Sequence, residues 1–145
     1  MRSLVCLLVA ALILSGCQTA DEAFTTNAAP TAISSPAASA IAGDMASRFA
    51  EQVGLTEAIT IKMDKKTTEF AVALEAALKG WGYTVTTDEK AEKAAMMVEL
   101  THSIDEFEGQ VLARLSTPSI TLGRAYTSRP DGATPASSLS IMRQN

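Results

Sequence analysis

MMVELTHSIDEFEGQVLARLSTPSITLGRAY, residues 96–126, decides the fold. Met96, Val98, Leu100, His102 and Ile104 fall on one side of a period-two pattern, and Glu99, Thr101 and Ser103 fall on the other. That alternation predicts a long half-buried strand. Val111, Ala113 and Leu115 open a second strand. STPS at 116–119 predicts a turn, where Pro118 is tolerated as it would not be inside a ladder. Ile120, Leu122, Arg124 and Tyr126 alternate on the way back. Between the first two strands, Asp105, Glu106 and Glu108 surround Phe107 and precede Gly109, which predicts an exposed acidic turn. The stretch is an antiparallel meander.

Upstream the period changes. Ile41, Met45, Phe49 and Val53 recur every fourth residue beside Ala42, Ala46 and Ala50, so a helix with one apolar face is predicted, stopping at Gly54. Ile59, Ile61 and Met63 alternate with Thr60 and Lys62, as in a strand. Phe70, Leu74, Ala77, Leu78 and Trp81 restore helical spacing, with Gly80 as the expected C-terminal cap. Tyr83 and Val85 alternate with Thr84 and Thr86, and DEKAEKA at 88–94 reads as a surface connection. Helix, strand, helix, strand and meander together predict a two-layer α+β domain over 40–127. Two helices pack on one face of a mostly antiparallel sheet of four or five strands.

The flanks differ. Residues 17–39 are rich in Ala, Thr and Ser, with Pro30 and Pro36, and read as a flexible tether. Residues 128–145 have a similar polar character, with Leu139, Ile141 and Met142 as apolar handles, and read as a flexible tail. At the start, Arg2 precedes an apolar run from Leu4 to Leu14, about 11 residues, within the range of a signal-peptide core. A bilayer-spanning helix needs about 20. Leu14-Ser15-Gly16-Cys17 then resembles the lipobox of bacterial lipoproteins. That resemblance implies a signal peptide over 1–16, lipidation of the Cys17 sulfur, and acylation of the new amine. One acyl chain gives only reversible membrane binding, whereas two or more give stable attachment. Cys6 leaves with the signal, so a disulfide framework is not expected. Gln18 stands where many inner-membrane lipoproteins carry Asp, which points by resemblance to the outer membrane.

The net charge is -4, and removal of Arg2 with the signal makes it more negative. An acidic chain lacks the basic stripe of a nucleic-acid binder. Lys62, Lys65 and Lys66 cluster around Asp64 and read as a solvated turn. No small-molecule substrate or cofactor is implied. His102 is the single histidine. With Asp105 and a serine it has the components of a hydrolytic triad, but no G-x-S-x-G elbow marks a nucleophile. Asp105, Glu106 and Glu108 read as a turn better than as a glycosidase pair. Met96 and His102 suit copper chemically, yet stand about 20 Å apart along one strand at about 3.3 Å per residue. No C-x-x-C, H-E-x-x-H or P-loop occurs. No catalytic or metal-binding residue is therefore assigned. Trp81 and Tyr83, flanking Gly82, are the candidate partner-binding residues, with core packing as their competing reading.

AIAGDMASRFAEQVG, LEAALKGWGYTVTTD, FEGQVLARLST, LGRAY and SLSIMR, behind a lipobox, resemble the conjugal transfer protein TrbH family. The resemblance implies a non-enzymatic lipoprotein of a type IV secretion apparatus that passes plasmid DNA between cells. It implies an outer-membrane, periplasm-facing location and contacts with other core subunits of that apparatus, without direct nucleic-acid binding. Only Cys17 carries over as a functional residue. Peptidoglycan remodelling and exclusion of a second plasmid are the alternative roles for an envelope lipoprotein of this kind.

Overall fold

The computed structural model describes residues 33–54, 59–89 and 96–145. Cys17, the signal peptide and most of the expected tether lie outside these residues, as do 90–94 of the expected surface connection.

Helix α1, Ser35–Val53, begins inside the stretch read as tether. Its start is built locally. Ser34 sits in an extended conformation and its hydroxyl accepts from the Ala37 N–H at 3.3 Å. Pro36 follows in the first turn, where its missing N–H removes no helical bond. Ala37 and Ala38 are fully buried. Small side chains let this turn lie close to the sheet, so the absence of large apolar residues does not keep it out of the domain. At the other end Gly54, at φ +82°, donates to the Ala50 carbonyl.

Strand β1, Thr60–Met63, leads into α2, Glu69–Gly80, and then β2, Thr84–Thr86. Thr68 caps α2 by accepting from Ala71 N–H at 3.2 Å. Glu69 in the first turn and Lys79 in the last complement the helix dipole. The C-cap is Trp81, one position beyond the expected Gly80. Strands β3 (Met97–Phe107), β4 (Gln110–Ser116) and β5 (Ile120–Arg129) form the meander.

The expected tail is a correction. Residues 128–145 extend β5 to Arg129 and supply β6, Gly132–Pro135, and β7, Ser140–Arg143. Both pair antiparallel with β5, one toward each end. Between them, the Ser137 hydroxyl accepts from Ala125 N–H at 2.9 Å and Ala136 N–H donates to the Ala125 carbonyl at 2.8 Å. The physical reason is that an open β5 edge presents main-chain groups that any sequence can satisfy. A polar segment can therefore be held by the ladder while its side chains remain wet. Leu139 adds contact with the core.

Among the described residues the sheet therefore has seven strands, two of them from the tail, in the order β2-β1-β3-β4-β5-β6 with β7 also on β5. Pairings of β1 with β2 and β3 are parallel, and the others are antiparallel. The acidic turn is also smaller than expected. Phe107 pairs with Gln110, and only Glu108 (φ 49°) and Gly109 (φ 77°) lie between them. Two successive positive φ angles match a type I′ hairpin turn. Asp105 and Glu106 belong to the strand.

The core lies between the helices and one sheet face. Ile41, Met45 and Phe49 of α1 and Phe70, Leu74 and Leu78 of α2 meet Ile61, Leu100, Val111, Leu115, Leu122 and Tyr126. The opposite sheet face carries Thr101, Ser103, Arg114, Ser116 and Thr121, and no helix covers it among the described residues.

Candidate functional site

Strand parity separates the would-be triad. His102 points toward the helices, where its ring meets Phe70 edge-on at 5.6 Å. Its Nε2 is buried and has no hydrogen-bond partner among the described residues. Burial, then Lys66, lowers its pKa below the ordinary value, and Asp64 opposes weakly. Ser103 and Asp105 point the other way, with the Ser103 hydroxyl donating to Asp105 Oδ2 at 3.4 Å. These residues cannot act as a unit, because the sheet itself lies between the imidazole and the carboxylate. Asp105 and Glu106 are likewise on opposite faces of β3.

The two aromatic candidates also part. Tyr83 is only 4% exposed. Its hydroxyl donates to the Gly54 carbonyl at 2.9 Å, and its ring lies edge-to-face with Phe49 at 5.8 Å. It joins the end of α1 to the start of β2, and burial raises its pKa. This removes Tyr83 from the partner-binding pair, because its contact area is already spent inside the domain. Trp81 remains 42% exposed at the end of α2. Among the described residues the other surface aromatic is Phe107, 74% exposed at the hairpin.

The strongest polar cluster was not assigned from sequence. Asp44 on α1 accepts from Arg124 Nη1 at 2.9 Å and from the Tyr126 hydroxyl at 2.7 Å, both on its Oδ2. Arg48 Nε approaches Oδ1 at 3.6 Å, and Arg124 Nε donates to the Ser137 carbonyl at 3.0 Å. Desolvation, followed by the hydrogen bond to Asp44, drives the Tyr126 pKa far above its ordinary range. The phenol stays a donor at all physiological pH values. This network joins α1, β5 and the loop before β7. Its signal was present: Asp44 lies between apolar Ile41 and Met45, and Arg124 occupies an inward position of β5.

On the open face, an open groove of ≈ 560 Å³ runs between β4, β5 and β7. Arg114, Ser116, Thr121, Gly123 and Met142 are among its lining residues. At one end of the domain, the Ser34 hydroxyl donates to the Arg129 carbonyl at 3.2 Å. The chain thus enters the domain beside the β5–β6 turn, at the same end as the β3–β4 hairpin.

A family description, "Conjugal transfer protein TrbH", matches residues 19–145. This chain belongs to the TrbH family. A relative from Sinorhizobium fredii (strain NBRC 101917 / NGR234), described as "Probable conjugal transfer protein TrbH", is 61% identical over 148 residues and covers 100% of both chains. No solved structure matches the chain. The TrbH match runs through α1, both helix–strand units and all of β6 and β7, so the segment expected to be a tail is part of the family's common sequence.

Proposed function

We propose that this chain is a lipid-anchored structural component of a conjugative DNA-transfer apparatus, held at the outer membrane and facing the periplasm. The observation that carries the reading is membership of the TrbH family over residues 19–145. The Leu14-Ser15-Gly16-Cys17 sequence supports the anchor. In this reading Cys17 bears the acyl chains and the α+β domain contacts other subunits of the apparatus, with Trp81 and Phe107 as its exposed aromatic positions. Covalent geometry limits the reach. At about 3.3–3.6 Å per residue, the stretch from Gln18 to Ile33 extends no more than about 58 Å. The domain therefore works close to its anchor.

The experiment is Cys17→Ser in a donor strain, with incorporation of labelled palmitate, membrane fractionation and mating efficiency measured together. The reading expects label in the parent and none in the variant, release of the variant from the outer-membrane fraction, and a large loss of transfer. An unlabelled parent, or an unlabelled variant that remains in the membrane and transfers DNA normally, would refute it.

A further inference from the structure

Strand β3 changes partners along its length. From Met97 to Leu100 it pairs with β1, and from Thr101 to Phe107 with β4 on its other side. Thr60 N–H donates to the Met96 carbonyl at 2.9 Å, so even-numbered residues of β3 direct their main-chain groups toward the β1 side. Strand β1 ends at Met63, opposite Leu100. Beyond that point His102, Ile104 and Glu106 direct N–H and C=O into a lane that no strand fills among the described residues. Such an edge is a template for another strand.

The charges beside this lane differ in net sign from one end to the other, although Asp64 shares the positive end with the lysines. Lys65 and Lys66 stand just past the end of β1, both exposed. Lys66 lies near enough to His102 to influence its titration. Glu106 and Glu108 stand at the hairpin end and are also exposed. None of the four takes part in an ion pair among the described residues. The free stretch runs from Thr101 to Phe107, and its midpoint is Ile104.

We propose that a second copy of this chain fills the lane, β3 against β3, antiparallel about a two-fold axis at Ile104. That register sets Ile104 against Ile104 and His102 against Glu106 of the second copy. It also brings each acidic hairpin end to the Lys65–Lys66 turn of the other copy, so the charge match is made twice, as an isologous interface requires. A partner strand running parallel would instead bring Glu106 and Glu108 against their own counterparts. The exposed Phe107 of one copy then covers Thr101 of the other. An edge of this length buries less than the roughly 1,600 Å² of a standard interface. The dimer is therefore weak in dilute solution, and confinement of both copies to one surface raises their effective concentration.

The test is oxidative cross-linking of the full chain in the membranes of expressing cells, with the parent chain and Val72→Cys, exposed on α2, as controls. Ile104→Cys is expected to give a disulfide-linked dimer, and the controls are not. Should Ile104→Cys fold poorly, a Ser103→Cys copy mixed with a differently tagged Asp105→Cys copy reads the same register. Glu106→Lys with Glu108→Lys lowers the linked fraction about tenfold, as like charges then face each other. Adding Lys65→Glu and Lys66→Glu restores it. Absence of both linked species, a link that charge reversal leaves unchanged, or a link to a different protein overturns the proposal. Absence of the linked species together with normal mating efficiency overturns this inference and leaves the lipid-anchored role standing.

Discussion

Asp44→Ala is expected to destabilise the domain by about 3 kcal/mol. Two charge-assisted hydrogen bonds end on its Oδ2, from Arg124 and Tyr126. Bonds to charged groups contribute about 1.5–3 kcal/mol each. The Arg124 and Asp44 side chains keep 18% and 22% of their exposure, so solvent screens part of the attraction and the lower half of that range applies. Arg48, at 3.6 Å on an exposed helix face, adds little. Removal of the carboxylate also leaves a guanidinium and a phenol without their acceptor, a penalty that replacement of all partners together would avoid. Against a total of about 5–15 kcal/mol for a domain, the loss is large but not fatal. With a urea m-value of about 1–1.5 kcal/mol/M, the unfolding midpoint falls by about 2–3 M. A cycle with Arg124→Met should show coupling of about 1–2 kcal/mol. A midpoint shift below about 0.5 M, or strict additivity with Arg124→Met, would show that the network does not tie α1 to β5.

Two further perturbations test local claims. His102 is lowered by burial and by Lys66, so the unfolded chain binds more protons than the folded one between the lowered value and about 6.5. The stability attached to the neutral imidazole is present above pH 6.5 and declines as pH falls through that window. Urea midpoints at pH 5–8 should show this decline in the parent and a shallower one in His102→Leu. Gly43 and Gly109 should respond in opposite directions. Gly43 is an exposed helix-interior residue with nothing within 4 Å of an added Cβ, so Gly43→Ala stabilises by about 0.5–1 kcal/mol. Gly109 holds φ +77° in the hairpin, so Gly109→Ala costs about 1 kcal/mol. Thermal unfolding of both variants checks the pair.

The two helices and the five strands of the central stretch were legible because burial repeats there with the period of the backbone. The sequence misled where burial was not the organising force. Strands β6 and β7 are held on β5 mainly by main-chain bonds, and those leave no period of apolar residues to read. The first turn of α1 was hidden because alanine is counted as a weak apolar residue, yet Ala37 and Ala38 are fully buried. Tyr83 and Trp81 looked alike as neighbours around Gly82. Only the fold shows that one ring faces Phe49 and the other faces solvent. Asp44 and Arg124 were each visible at inward positions, but a contact across such a distance in sequence requires the register of α1 on the sheet. The acids around Phe107 divided between a strand and a two-residue turn, a boundary set by the positive φ angles of Glu108 and Gly109.

The bond between Ser34 and Arg129 places the incoming chain at one end of the domain, while Arg143, bonded to Gln52 near the close of α1, leaves at the other. Tension applied between these points acts along the axes of α1 and β7. Strand β7 would have to slide past β5, breaking its ladder bonds together, since no bond can be peeled away first. A domain strung in this direction resists mechanical load better than its modest size implies.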